Sequence, residues 1–219
     1  MKSQHIDEIM LEGMLPKVFV SENIPSSDVW KCNLTFKRGT FYMVEAASGG
    51  GKSSMCAYIY GSRNDYEGSL YFNNENVAKL HIEKWQKIRR ENLAYLPQDL
   101  MLFPELSAIK NIELKNNLTH AVEADQIDEW LHELGIDSRR DYPVGKMSIG
   151  QQQRVGIIRS LCQPFDFILL DEPVSHLDAA NNEIAARMIM GEARRRGAGI
   201  ISTSVGNPLM LEDAVKLNL

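Results

Sequence analysis

Residues 45 to 55, EAASGGGKSSM, gather small residues around one lysine, the composition that lets backbone wrap a phosphate. Gly51, Lys52 and Ser53 stand at the spacing of the phosphate-loop pattern G-x-x-x-x-G-K-[ST], but Ala46 occupies the place of its first glycine. In that chemistry the N–H groups from Ser48 to Ser53 converge on phosphate oxygens at the positive end of a helix dipole. Lys52 reaches the terminal phosphates, and the Ser53 hydroxyl ligates Mg2+. If Ala46 must take a positive φ, it costs on the order of 1 kcal/mol relative to glycine. That is small beside several contacts to a triphosphate. The competing reading is a glycine-rich turn with a surface lysine, and the rest of the chain decides between the two.

Further stretches carry chemistry such a site can use. In MSIGQQQRVGIIRSL (147–161) Ser148 reads as a helix N-cap, and Gln151, three residues on, completes a capping box. Val155, Ile158 and Leu161 follow at helical spacing. A helix start with a serine and Gly150 beside it is a second anion-binding end; standing alone it is an ordinary capped helix. In FDFILLDEP (165–173) an apolar run ends in Asp171 and Glu172. Asp171 is suited to hold Mg2+ through water, and Glu172 to polarise an attacking water as general base. VSHLD (174–178) follows directly, and upstream Gln98 ends a strand in LAYLPQDLMLFPEL.

The elements that must position these residues are legible as patterns. KVFV (17–20), NLTFKR (33–38) and FYMVEA (41–46) read as short strands, with Lys37-Arg38-Gly39 as a turn. Leu80, Trp85 and Ile88 share one helical face; Ile127, Trp130, Leu131 and Leu134 share another, stopped at Gly135. FDFILLDEP is too short for a helix and reads as a strand buried on both faces, with AGIISTS (198–204) as a similar one. Strands alternating with helices predict an α/β fold with a mainly parallel sheet. The helix-rich stretch interrupting that alternation, roughly residues 99–160, reads as an inserted helical subdomain.

Composition removes whole classes of function. With 24 Lys plus Arg against 29 Asp plus Glu the net charge is -5, which argues against a surface built to grip nucleic acid. Cys32, Cys56 and Cys162 are scattered, fit a reducing compartment and form neither a zinc motif nor a disulfide framework. The five histidines (His5, His81, His120, His132 and His176) have no metal-ligand spacing. Acids among the apolar residues of MKSQHIDEIMLEGML exclude a signal peptide, and no apolar run approaches the roughly 18 residues of a membrane span. Any membrane role therefore goes through a partner. Arg194 to Arg196, Arg89-Arg90 and Arg139-Arg140 read as solvated cations, favourable at helix C-termini.

In combination and in order, these stretches resemble the nucleotide-binding subunit of ATP-binding-cassette (ABC) transporters, from about Val18 to Leu217. ASGGGKSS is similar to the family's Walker A loop, Gln98 to its Q-loop glutamine and MSIGQQQRV to its signature, usually LSGGQ. ILLDEP matches Walker B, and SHLD the D-loop. The resemblance implies a single ABC ATPase domain over residues 1–219: a P-loop NTPase core with N-terminal antiparallel strands and the helical insertion. It implies ATP and Mg2+ as cofactors. Nucleotide would be held by Ser48, Gly49, Gly50, Gly51, Lys52, Ser53, Ser54, Gln98, Ser148, Gly150 and Gln151, and the metal by Ser53, Gln98 and Asp171. Glu172, Lys52 and Ser204 would carry catalysis. Two subunits, identical or paired, would sandwich ATP head to tail, so Ser148, Gly150 and Gln151 would touch it only across the interface. An integral membrane permease would dock after Gln98, where Leu100, Met101, Leu102 and Phe103 are expected to be exposed. The chain would then lie peripherally on the cytoplasmic face of the cell membrane, with no nucleic-acid partner.

Besides Ala46, the chain departs from the family pattern in two places. Ile149 replaces the first glycine of the signature pair, which weakens closure. Ser204, after the strand in IISTSVG, stands where the family has its switch histidine, so slow hydrolysis is expected. The adenine-stacking aromatic is not evident: register gives Asn23, with Phe19 or Trp30 as substitutes. His176 is expected to pack near the dimer interface. The short stretch after the last strand leads to the expectation of no C-terminal regulatory domain, and of a resemblance to the compact subunits of lipoprotein-release, macrolide-export and cell-division complexes. A different class remains open: a nucleotide-gated regulatory module with slow or no hydrolysis, signalling through a membrane partner without transport.

Overall fold

The structure is a computed structural model that describes residues 5–21 and 26–219. The chain runs through β1 (Glu8–Pro16), β2 (Asn33–Lys37), β3 (Phe41–Glu45), α1 (Lys52–Tyr60), β4 (Tyr66–Phe72), β5 (Glu75–Asn76), α2 (Ile82–Glu91) and β6 (Leu93–Leu96). It continues through α3 (Ala108–Asn116), α4 (Ala124–Glu133), α5 (Ile149–Leu161), β7 (Phe167–Asp171), α6 (Ala179–Arg196), β8 (Gly199–Ser204) and β9 (Val215–Asn218). Two sheets result: an antiparallel one in the order β2-β1-β4-β5 and a parallel one in the order β6-β7-β8-β3-β9.

Alternation of side chains along the parallel strands divides the core in two. Met43, Ile168, Leu170 and Ile200 face one layer with apolar residues of α3, α4, α5 and α6. Tyr42, Val44, Leu169 and Ile201 face the other, with Met55 and Ile59 of α1 and the inner face of the antiparallel sheet. Every residue of β7 is buried, as expected of a central parallel strand covered on both sides. The inserted helices share the sheet's core rather than forming one of their own.

Several local expectations are corrected. KVFV is not a strand: Lys17–Phe19 is a single 3-10 turn, and the strand lies before it. The alternation of EIMLEGMLP is broken by a register shift between Glu12 and Leu15, with Gly13 at φ 57, which hides the strand from a period-two search. Leu80 precedes α2, at the end of a 3-10 turn, and packs on the core from there. Gln98 does not end a strand; β6 stops at Leu96, and Pro97, lacking an N–H, helps end the ladder. Arg196 is no solvated cation: its side chain is 11% exposed, and its guanidinium pairs with Glu192 at 2.9 Å and donates to the carbonyls of Leu161 and Gln163. Arg89 likewise donates to Tyr60 O and Gly61 O at the end of α1, at 3.0 and 2.6 Å.

Candidate functional site

All five strands of the parallel sheet run the same way, so the loops leaving their C-terminal ends share one edge, where α/β sheets place ligands. The loop after β3 holds residues 46–51; that after β7 holds Glu172, that after β6 holds Gln98, and Ser204 closes β8. The register fixes their neighbours: Glu45 pairs with Ser204, and Asp171 with Thr203.

In the phosphate loop Gly51 caps α1 at φ 95 without any side-chain cap, so the first N–H groups of the helix are left for an anion. Trp30 supports the loop from beneath, its Nε1–H donating to Gly50 O at 3.0 Å. A Cβ on Gly51 would lie 3.0 Å from Trp30 and 3.1 Å from Phe19. Ala46 is not among the residues with positive φ, so the strain expected from a missing glycine does not arise. Its methyl instead lies 3.0 Å from where a Cβ on Gly50 would stand, so a side chain at position 50 would have to push the loop aside by a few tenths of an ångström. Lys52 is buried, with Nζ donating to Ala46 O and Ala47 O at 3.3 and 3.1 Å and lying 3.9 Å from Glu172 Oε1. Ser48, Gly49 and Ser53 are exposed, while the Ser54 hydroxyl accepts from Arg63 at 2.9 Å.

The acidic pair is held from two sides. Thr203 Oγ1 donates to Asp171 Oδ1 at 2.7 Å and accepts the Glu172 N–H at 3.2 Å. Gln153 of α5 donates through Nε2 to Glu172 O at 3.1 Å and to Ser175 Oγ at 3.2 Å. Its Oε1 accepts the His176 N–H at 3.0 Å. Between these clamps Glu172 sits at φ 52, a conformation costing a non-glycine residue about 1–3 kcal/mol. Two or three hydrogen bonds at about 0.5–1.5 kcal/mol each offset that strain. Ser53, Gln98 and Asp171 line one open cleft of about 550 Å3, shared with Tyr95. Burial, then the negative charges nearby, push the Tyr95 phenol far above its ordinary range, so it stays protonated. Ser204 is buried and its Oγ has no hydrogen-bond partner among the described residues.

Ser148, Gly150 and Gln151 are not joined to the phosphate loop by any hydrogen bond. Ser148 and Gln151 bond one another in a closed capping box, and Ile149 points outward, 49% exposed. Gly150 packs on the turn after β7, where an added Cβ would stand 2.9 Å from His176 O. His176 itself is exposed: its backbone packs, while its ring Nδ1 lies 3.0 Å from Ser175 Oγ at the surface. Of the four apolar residues at 100–103, Met101 and Phe103 are well exposed, at 64% and 54%; Leu100 is buried and Leu102 packs on the core. Leu100 and Met101 both have positive φ, and Arg159 of α5 donates to the carbonyls of both. Asn23 lies outside the described residues; Trp30 is 3% exposed, which leaves Phe19 the more open of the two aromatics.

Sequence reasoning missed Thr203 and Gln153, although both lie within the motif stretches IISTSVG and MSIGQQQRV. The available signal was a polar residue on a buried strand and a glutamine one turn inside an otherwise apolar helix face.

The family model described as ABC transporter matches residues 29–175. The chain belongs to the ABC transporter family. It is 31% identical over 175 residues to the macrolide export ATP-binding/permease protein MacB of Shewanella sp. (strain ANA-3), covering 77% of this chain and 26% of the relative. To the Fe(3+) ions import ATP-binding protein FbpC of Fusobacterium nucleatum it is 34% identical over 150 residues, 67% of this chain and 39% of that one. It thus spans about a quarter of the MacB relatives' length. Its fold matches the dimeric structure of MJ0796, a bacterial ABC transporter cassette, with TM-score 0.76 and 27% identity over 90% of this chain and 87% of the other. The same cassette as a dimer in a post-hydrolysis state bound to ADP and Pi matches at TM-score 0.72 and 25% identity, with the same coverage. The ABC ATPase fold, an α/β core with an antiparallel sheet beside a parallel one, is that of this chain.

Proposed function

We propose that the chain is the ATP-binding and hydrolysing subunit of an ABC transporter, coupling nucleotide-driven pairing to a membrane partner. The observation that carries this is Glu172, clamped at the sheet edge with its carboxylate 3.9 Å from the buried Lys52. In this reading residues 1–219 are one ATPase domain, with residues 99–160 as its helical subdomain. Ser48 to Ser54 wrap the phosphates, Lys52 leaves the loop carbonyls for the terminal phosphate, and Glu172 orients the attacking water. Ser204, with its buried hydroxyl unpartnered, donates to a terminal phosphate oxygen. The donors of Ser53, Gln98 and Asp171 are all oxygens in one cleft, the set Mg2+ prefers. Bound there, Mg2+ would offset phosphate charge. Ser148, Gly150 and Gln151 complete the site of a second subunit, and Phe19 stands nearest to face the base.

Met101 and Phe103 form the apolar tip that meets a membrane permease, which would place the chain on the cytoplasmic face of the membrane. Among the described residues no helix is long and apolar enough to cross a membrane.

The test is ATP turnover by the purified chain beside Glu172→Gln, with ATP binding measured in parallel. The expected result is binding by both and a turnover loss of about 100-fold or more in the variant. Binding without turnover by the unmodified chain would favour a nucleotide-gated regulator. No binding at all would return the 45–55 stretch to a glycine-rich turn.

A further inference from the structure

We propose that Gln153 is a positioning residue for Glu172, and that it ties the aim of this carboxylate to the end of α5 that carries Ser148. The inference rests on the ATPase reading above and adds to it a device that makes the two ATP sites of a paired assembly depend on each other.

The two peptide groups that flank the Glu172 Cα are gripped by different elements. Thr203 of β8 takes the N–H on one side, and Gln153 of α5 donates to the carbonyl on the other. Those two peptide planes set φ and ψ of Glu172, and with them the direction of its side chain. The residue is held at φ 52, where an unclamped glutamate would not stay. Gln153 is 3% exposed, and its amide makes three bonds, to Glu172 O, Ser175 Oγ and the His176 N–H. A second contact joins the same two elements: Gly150, three residues earlier on that face of α5, abuts His176 O too closely for any side chain. The turn 172–176 and the first turns of α5 therefore move as one body.

That body touches both nucleotides. Ser148 caps α5 only five residues before Gln153, about 7.5 Å along the axis. In the paired assembly this end meets ATP held by the other subunit, while Glu172 serves ATP on its own loop. A shift of α5 on gripping one nucleotide is passed by Gln153 to the carboxylate that orients the water attacking the other. Turnover then responds to occupancy of both sites, giving a sigmoidal dependence on ATP.

The test uses the full chain with Gln153→Glu, which keeps the size of the side chain and its acceptor for the His176 N–H but removes both donor bonds. Turnover against ATP concentration is measured with Tm, ATP affinity and hydrogen–deuterium exchange over residues 172–176. The expected result is a kcat lower by roughly tenfold with KM within about twofold, and a Hill coefficient falling from about 2 toward 1. Tm should fall by a few degrees, because a buried carboxylate oxygen then faces the Glu172 carbonyl, while ATP affinity stays within about twofold. Mg-ATP should protect the 172–176 amides in the unmodified chain and not in the variant. Unchanged kcat and Hill coefficient would overturn the proposal, as would a fall in kcat that merely follows lost Tm and ATP affinity. If the unmodified chain binds ATP without turnover, the ATPase reading fails, and the exchange measurement alone decides this one: equal protection in both proteins overturns it.

Discussion

Helices α1 and α5 both begin beside glycine and serine, yet their first turns are in opposite states. At α1 the cap is Gly51, no side chain accepts from the helix, and Trp30 holds the loop from below. At α5 the cap is Ser148, its hydroxyl and the Gln151 amide close a capping box, and the flanking Ser148 and Ile149 are exposed. The first end offers free N–H groups to an anion within one chain. The second has already satisfied part of its own, so it adds to an anion that something else holds. Under the proposed function, the difference explains why a single subunit would bind nucleotide through one helix end and need pairing to use the other.

The largest effect should come from Gly51→Ala. The new methyl would sit about 3.0 Å from the Trp30 ring at φ 95, so the loop must shift. ATP affinity of the single chain, read by a fluorescent nucleotide, should fall by roughly 100-fold; retained affinity would break the comparison. Ser148→Ala should leave that affinity within about twofold while removing a cap of about 1 kcal/mol, visible as a few degrees in Tm. Turnover, which needs pairing, should drop about tenfold, and an equal loss of single-chain binding would show the two ends to be alike. Smallest is Ser204→Ala. Because Oγ has no partner among the described residues, stability should stay within about 0.5 kcal/mol, while turnover falls roughly two- to tenfold through one lost hydrogen bond to phosphate. A stability loss with unchanged turnover would assign that hydroxyl to the fold.

Much of this contrast was legible before any coordinates. Ser148 and Gln151 three residues apart announced the capping box, and the run FILLD announced a strand covered on both faces. The order of loop, glutamine, signature and acids named the family. What stayed hidden depends on contacts distant in sequence. Thr203 meets Asp171 across 32 residues and Gln153 meets Glu172 across 19, and no local period encodes either. Leu100 was misjudged because apolar loop residues look alike until a left-handed turn buries one and exposes the next. β1 was missed because its bulge breaks the very alternation by which strands are found.

The Arg159 bonds to the carbonyls of Leu100 and Met101 have a mechanical meaning. They fasten Leu100 and Met101 to α5, while Asn111 of α3 grips the Phe103 N–H and carbonyl at 2.8 and 3.1 Å, so the tip is tied to helices rather than to the sheet. Arg159 stands eleven residues from Ser148 on one helix, about 16 Å along a stiff rod. A load applied at the tip is thus not absorbed by slack loop; it arrives at the far end of α5 as torque, with the helix as lever arm and its packing on α3 as fulcrum.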